Sequence, residues 1–120
     1  MKYAIDLNIM EMTQPVYACN YAVGKERQHF VQIFEYNCKA REAIENVKRK
    51  MFAAIEENSH HIELSLMEIV QLYSACNIAW HHEKDEMPHQ HESKIPQYRR
   101  AIEDLEYARE KILAAIKKGA

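Results

Sequence analysis

The first part of the chain alternates between apolar and polar residues, in two runs separated by a short break. Residues 2–12 carry apolar side chains at every second position, namely Tyr3, Ile5, Leu7 and Ile9. Residues 16–23 repeat this alternation with Tyr17, Cys19, Tyr21 and Val23. A period of two is typical of a half-buried strand, and the intervening Thr13-Gln14-Pro15 is typical of a turn. The pattern therefore predicts a β-hairpin at the start of the chain.

Residues 29–36 fit two interpretations. Their aromatic and β-branched side chains favour a third strand next to the hairpin. Phe30, Ile33 and Phe34 also continue the helical spacing of the segment that follows, so that residues 28–58 would instead form one long helix. The composition of the segment makes the strand the preferred interpretation, and the helix stays open as the alternative.

The rest of the chain carries the apolar spacing of three and four residues that is typical of amphipathic helices. This spacing predicts helices over residues 37–58, 65–83 and 96–118. Ser65 and Glu68 have the spacing of a capping box, which fixes the start of the second helix. Pro96 suits the first position of the third helix, and Gly119 is placed to end it.

Together these elements predict a single α+β domain over residues 1–120. An antiparallel sheet of two or three strands would occupy most of residues 1–36, and three helices would follow it. The alternative is an all-α helical bundle, which results if residues 28–58 form one helix.

The second predicted helix is unusual because apolar side chains cover most of its circumference, and no charged residue lies between Glu68 and Glu83. A helix of this kind is buried on most sides, and the other predicted elements cover it only in part. We therefore expect it to mediate self-association, most simply as a two-fold dimer. The residues predicted to include this interface are Leu66, Ile69, Val70, Tyr73, Asn77 and Trp80.

Composition narrows the class of protein without naming its function. The 120 residues are 48% hydrophobic and 28% charged, with a net charge of -2, which excludes a disordered or collagen-like chain. Neither half of the sequence is basic, so a nucleic-acid partner is disfavoured, and the uncharged stretch is too short and too polar for a membrane span. Three widely spaced cysteines and the lack of a signal sequence favour a reducing, cytoplasmic location.

Histidines are concentrated in residues 60–91, among several carboxylates. Imidazole and carboxylate groups together are ligands of zinc and similar divalent metals. The predicted metal ligands are His81, His82, His89 and His91, with zinc as the candidate ion. Because their spacing matches no named zinc class, this segment supports only the alternative function, a small metal-dependent enzyme or a sensor of metal or pH.

The main functional prediction is a small non-enzymatic binding or regulatory protein, without a cofactor, that acts through a protein or small-ligand interface. The chain contains no nucleophile elbow, no phosphate-binding glycine loop and no Cys-x-x-Cys pair. The expected partners are a second copy of the chain, another protein or a small anionic ligand, for which Arg99 and Arg100 are the candidate side chains. Small size and few motifs are also typical of accessory proteins of phages and mobile elements.

Overall fold

The computed structural model describes residues 2–29 and 34–119, and within them the side chains of residues 2–23 and 39–119. Over these residues the chain is mostly helical, with a small two-stranded antiparallel sheet. In chain order the elements are β1 (Tyr3–Asp6), α1 (Ile9–His29), α2 (Phe34–Glu56), β2 (His61–Leu64), α3 (Leu66–Glu86) and α4 (Ile95–Lys118). Two short 3-10 turns, Met87–His89 and Glu92–Lys94, join α3 to α4. An antiparallel sheet that begins near the N-terminus is confirmed, and α2, α3 and α4 match the three predicted helices.

The predicted N-terminal hairpin is wrong, because its turn and its second strand lie inside α1. Asn8 and Glu11 begin this helix with a reciprocal pair of hydrogen bonds. The Glu11 N–H donates to Asn8 Oδ1 at 2.8 Å, and the Asn8 N–H donates to Glu11 Oε1 at 3.0 Å, which satisfies donors that a helix start leaves unpaired. Pro15 is fully buried within the helix, so packing outweighs the backbone hydrogen bond that a proline cannot make.

The two segments predicted as strands therefore have different outcomes. The strand over residues 2–12 is correct only for Tyr3–Asp6. Residues 16–23 form the middle of α1. Among the side chains of this helix that are described, those up to Val23, the buried ones are Met12, Pro15, Ala18, Cys19, Ala22 and Val23. Their spacing of three and four residues is the period of a helix that faces a core.

β1 pairs with β2, which follows α2 in the chain, rather than with a neighbouring strand. The antiparallel register pairs Tyr3 with Leu64, Ala4 with Glu63, Ile5 with Ile62 and Asp6 with His61. The Leu7 N–H donates to the His60 carbonyl at 2.8 Å and extends this register by one residue. One face of the sheet covers the core with Ile5, Ile62 and Leu64, and the other face exposes Ala4, Asp6, His61 and Glu63.

The third strand predicted over residues 29–36 falls in part on residues 30–33, which lie outside the described residues. Of the remaining positions, His29 ends α1 and residues 34–36 open α2. The all-α alternative is wrong because β1 and β2 form a sheet.

α3 lies at the centre of the fold and contacts α1, α2 and α4. Its composition explains this position, because a helix with apolar residues on several sides is stabilised by several neighbours. The largest fully buried side chains include Leu7, Met12, Met51, Leu64, Ile69, Leu72, Leu105 and Ile112. Over the described residues, none of the helices is long and apolar enough to cross a membrane.

Candidate interaction surface

The start of α3 is fixed by hydrogen bonds around Glu68. The Ser65 side chain accepts from the Glu68 N–H, and the Glu68 carboxylate accepts from the Ser65 N–H at 2.8 Å, so the predicted capping box is confirmed. Lys50 of α2 donates to the same carboxylate at 2.7 Å and to the Glu63 carbonyl at 3.1 Å. Burial acts to raise the pKa of Glu68, but the hydrogen bonds from Lys50 and Ser65 outweigh it and lower this pKa. One carboxylate thus joins α2 to the start of α3.

α4 covers one flank of α3 through the indole of Trp80. The indole N–H donates to Glu106 Oε1 at 2.9 Å. The Arg109 guanidinium lies 4.4 Å from the centroid of the Trp80 ring, a distance at which a cation–π interaction is favourable. Arg109 also donates to Asn77 Oδ1 at 2.7 Å. Trp80 and Asn77 therefore serve packing within the chain.

α1 covers the C-terminal half of α3. Glu83 is buried, and Tyr17 lies close to it. Burial, together with this neighbouring carboxylate, raises the pKa of Tyr17 to about 12. Cys19 and Cys76 are also buried, and burial raises the pKa of the Cys19 thiol to about 12 and acts in the same direction on Cys76. Both thiols therefore stay protonated at neutral pH and act as core side chains.

The remaining side of α3 is open and apolar. We call it the α3 strip and define it as Leu66, Met67, Val70, Ser74 and Ile78. Its four large side chains are, in chain order, 54%, 47%, 42% and 42% exposed, and Ser74 is exposed as well. Their spacing of three and four residues places them along one side of the helix. No charged residue interrupts this surface between positions 69 and 82.

The structure divides the six predicted interface residues into three groups. Ile69 is fully buried in the core. The half-buried group consists of Tyr73, Asn77 and Trp80. Only Leu66 and Val70 belong to the α3 strip. The prediction did not include Met67 and Ile78, although both stand in the same apolar run, because the run alone does not tell which side the neighbouring helices leave open.

The four histidines predicted as metal ligands do not converge on one point. His81 is exposed on α3, whereas the ring of His82 lies 4.5 Å from the ring of Tyr21 on α1. His89 and His91 are exposed in the segment before α4. Within residues 2–29 and 34–119, no group of three or more His, Cys, Asp and Glu side chains is placed to hold a metal ion. Zinc binding remains a prediction from the sequence.

A different histidine, His61, lies between two carboxylates on the exposed face of the sheet. Its Nδ1 is 3.1 Å from Asp6 Oδ1, and its Nε2 is 3.4 Å from Glu63 Oε1. Hydrogen bonds with Asp6 and then with Glu63 raise the pKa of His61 above its ordinary value of 6.5. Its contribution to stability is therefore fully present below the unfolded pKa and is lost as the pH rises through the folded pKa. Protonated His61 joins the ends of β1 and β2.

We expect the Asp6→Asn substitution to lower the pKa of His61, because it removes the carboxylate with the largest effect on that group. An NMR titration of the imidazole carbon-bound protons measures this pKa directly. Asp85→Asn removes an exposed carboxylate on α3 and is the matched control, which should leave the pKa as it is in the parent. The same pKa in the parent and in Asp6→Asn would contradict the assigned pairing.

Arg99 and Arg100, the predicted anion-binding pair, lie at the start of α4, and both are exposed. No protein-family model, no curated protein and no solved structure matches the chain. The α3 strip is therefore interpreted from its own geometry. Over the described side chains, α3 carries more exposed large apolar residues than any other helix.

Proposed function

We propose that the chain is a non-enzymatic binding protein that acts as a homodimer, with the α3 strip as the surface that the two copies share. The observation that carries the proposal is the row of four large apolar side chains, each at least 42% exposed, on the central helix. Single exposed apolar residues are ordinary on protein surfaces. A contiguous row of them is typical of an interface, since it would otherwise promote aggregation.

The sequence of the α3 strip is self-complementary about Ser74, which supports a second copy of the chain as its occupant. When two α3 helices pack antiparallel around a two-fold axis at Ser74, Val70 of each copy lies against Ile78 of the other. Met67 then lies against His81 at both ends of the contact. The small serine at the crossing point permits a close approach of the two helices, and the antiparallel arrangement brings opposite helix dipole ends together.

α4 extends this apolar surface on one side. The hydrogen bond from Arg109 to Asn77 sets α4 against α3, and the chain runs in opposite directions in the two helices. One turn beyond this bond, Leu113 comes level with Tyr73. Leu113 is 36% exposed and adds apolar area at the edge of the α3 strip. This addition matters because a stable dimer buries about 1,200 Å² or more in total.

Size-exclusion chromatography with light scattering tests the proposal. We expect the parent to have twice the chain mass of 14.2 kDa at tens of micromolar. Val70→Glu should be monomeric, because it places a carboxylate in an apolar interface without a partner. Phe52→Glu changes a side chain that is 49% exposed on α2, so this matched control should remain a dimer. Circular dichroism of each variant separates loss of assembly from loss of folding.

A second pair of variants tests the antiparallel arrangement. Ile78→Lys alone should also give a monomer, whereas Val70→Glu and Ile78→Lys in one chain should restore the dimer, because each glutamate then faces a lysine of the other copy. A monomeric parent would overturn the homodimer. A combined variant that stays monomeric would overturn the arrangement about Ser74, and a dimer that survives every substitution would place the interface on another surface.

A further inference from the structure

The outer edge of β1 carries hydrogen-bonding groups that the sheet does not use. In an antiparallel pair, alternate residues direct their N–H and C=O groups toward the partner strand, and the residues between direct them away. The hydrogen bond from the Leu7 N–H to the His60 carbonyl shows that the odd-numbered residues of β1 direct their backbone groups toward β2. The backbone N–H and C=O groups of Ala4 and Asp6 therefore point away from β2. In agreement, Lys111 of α4 donates to the Asp6 carbonyl at 2.8 Å. No described residue pairs with the Ala4 N–H, the Ala4 C=O or the Asp6 N–H.

A groove of about 340 Å³ runs along this edge, between β1 and α4. Its α4 wall consists of Lys111, Ala114, Ala115 and Lys118, whose spacing of three and four residues places them on one side of the helix. The two alanines leave room beside the strand. The two lysines stand at the ends of this wall, about 10 Å apart along the helix axis, which is the length of about three residues of an extended strand.

The charges around the groove favour a negatively charged ligand. Lys111 is held in place by Glu11, with 3.2 Å between Nζ and Oε2, and by the Asp6 carbonyl. Lys118 is exposed and forms no ion pair with any residue in the described ranges. The Asp6 carboxylate lies on the exposed face of the sheet, where it pairs with His61. Free strand-edge groups therefore face a wall that carries two ammonium groups.

We propose that this groove binds an extended acidic segment of a partner protein by strand addition. The segment pairs as a third strand with the Ala4 N–H, the Ala4 C=O and the Asp6 N–H, and its carboxylates lie against Lys118 and Lys111. In strand addition, main-chain hydrogen bonds supply affinity and side-chain contacts supply selectivity. The lysines thereby select acidic segments over neutral or basic ones. The groove is separate from the α3 strip, so this binding does not depend on the homodimer.

Fluorescence anisotropy with a labelled heptapeptide of alternating glutamate and valine tests the charge requirement. This peptide should bind several-fold more tightly than the same peptide with glutamine in place of glutamate, the effect expected for an exposed ion pair with Lys118. Lys118→Gln should weaken binding of the glutamate peptide several-fold. Lys117→Gln removes an equally exposed charge that does not line the groove, and this matched control should have a much smaller effect.

Ala4→Pro tests the strand addition itself. The substitution removes the outward N–H and leaves the hydrogen bonds to β2 in place, as proline permits at a strand edge, so binding of the glutamate peptide should be lost. Should circular dichroism show that this variant is unfolded, the two peptides and the two lysine variants still decide the proposal. Equal affinity for both peptides, or no binding of either, would overturn it. A different oligomeric mass for the parent and for folded Ala4→Pro, both measured without peptide, would also overturn it. Such a difference would show that the β1 edge of the parent pairs with a second copy of the chain.

Discussion

Truncation of Met12 to alanine is expected to destabilise the protein by about 3 kcal/mol, in the range measured for buried methionine. The same truncation of Met10 should change the free energy of unfolding by less than about 0.5 kcal/mol. Both residues belong to α1, but Met12 is 0% exposed and Met10 is 70% exposed. Since the residue type and the helical turn are the same, the difference isolates burial. Urea unfolding followed by far-ultraviolet circular dichroism measures both values.

This pair of substitutions also separates a helix from a strand in this part of the chain. Positions two residues apart point in nearly opposite directions in a helix, so one methionine is buried while the other is exposed. In a strand the two side chains would lie on the same face. Similar costs for Met10→Ala and Met12→Ala would therefore contradict α1 and favour the alternating pattern of the sequence.

The N-terminal segment was predicted wrongly because its side chains fit two periods at once. Cys19 and Val23 belong to the alternating run and also to the buried row of α1, while Ala22, which completes that row, is too small to distinguish the patterns. The proline in the middle of the segment added weight to a turn. The spacing of Asn8 and Glu11 is the sequence signal that favours a helix here, because it resembles the spacing of the Ser65–Glu68 capping box, which the structure confirms.

The three later helices were predictable because their apolar spacing is long and regular, and their caps are explicit. The pairing of β1 with β2 was not predictable. The four residues of β2 alternate between exposed and buried side chains, but so short a run between two helices carries too weak a pattern. For the candidate surface, composition indicated that α3 needs cover on most sides. The side of α3 that stays exposed depends on where α1, α2 and α4 pack. This packing is a property of the tertiary structure, and the local sequence pattern does not predict it.

The carboxylate of Glu68 is expected to contribute about 2 kcal/mol to stability at neutral pH, as judged by Glu68→Ala. The substitution removes the acceptor of the Ser65 N–H and leaves Lys50 without its 2.7 Å partner. Glu56→Ala changes an exposed carboxylate on α2 and is the control, with an expected change below about 0.5 kcal/mol. If urea unfolding shows the same loss of unfolding free energy for Glu68→Ala and Glu56→Ala, the structural role of Glu68 is contradicted.

The pH dependence of the same measurement shows how much of this contribution comes from the charge of Glu68. The hydrogen bonds from Lys50 and Ser65 lower the pKa of Glu68 below the ordinary value of 4.5. The contribution is therefore fully present above the unfolded pKa and is lost as the pH falls through the lower, folded pKa. The stability difference between the parent and Glu68→Gln should stay constant near neutral pH and shrink below about pH 4.

Lys50→Met should remove most of this acid-sensitive part of the stability, because Lys50 supplies the positive charge that faces Glu68. A difference between the parent and Glu68→Gln that persists unchanged in acid would assign the stabilisation to hydrogen-bond geometry instead of charge.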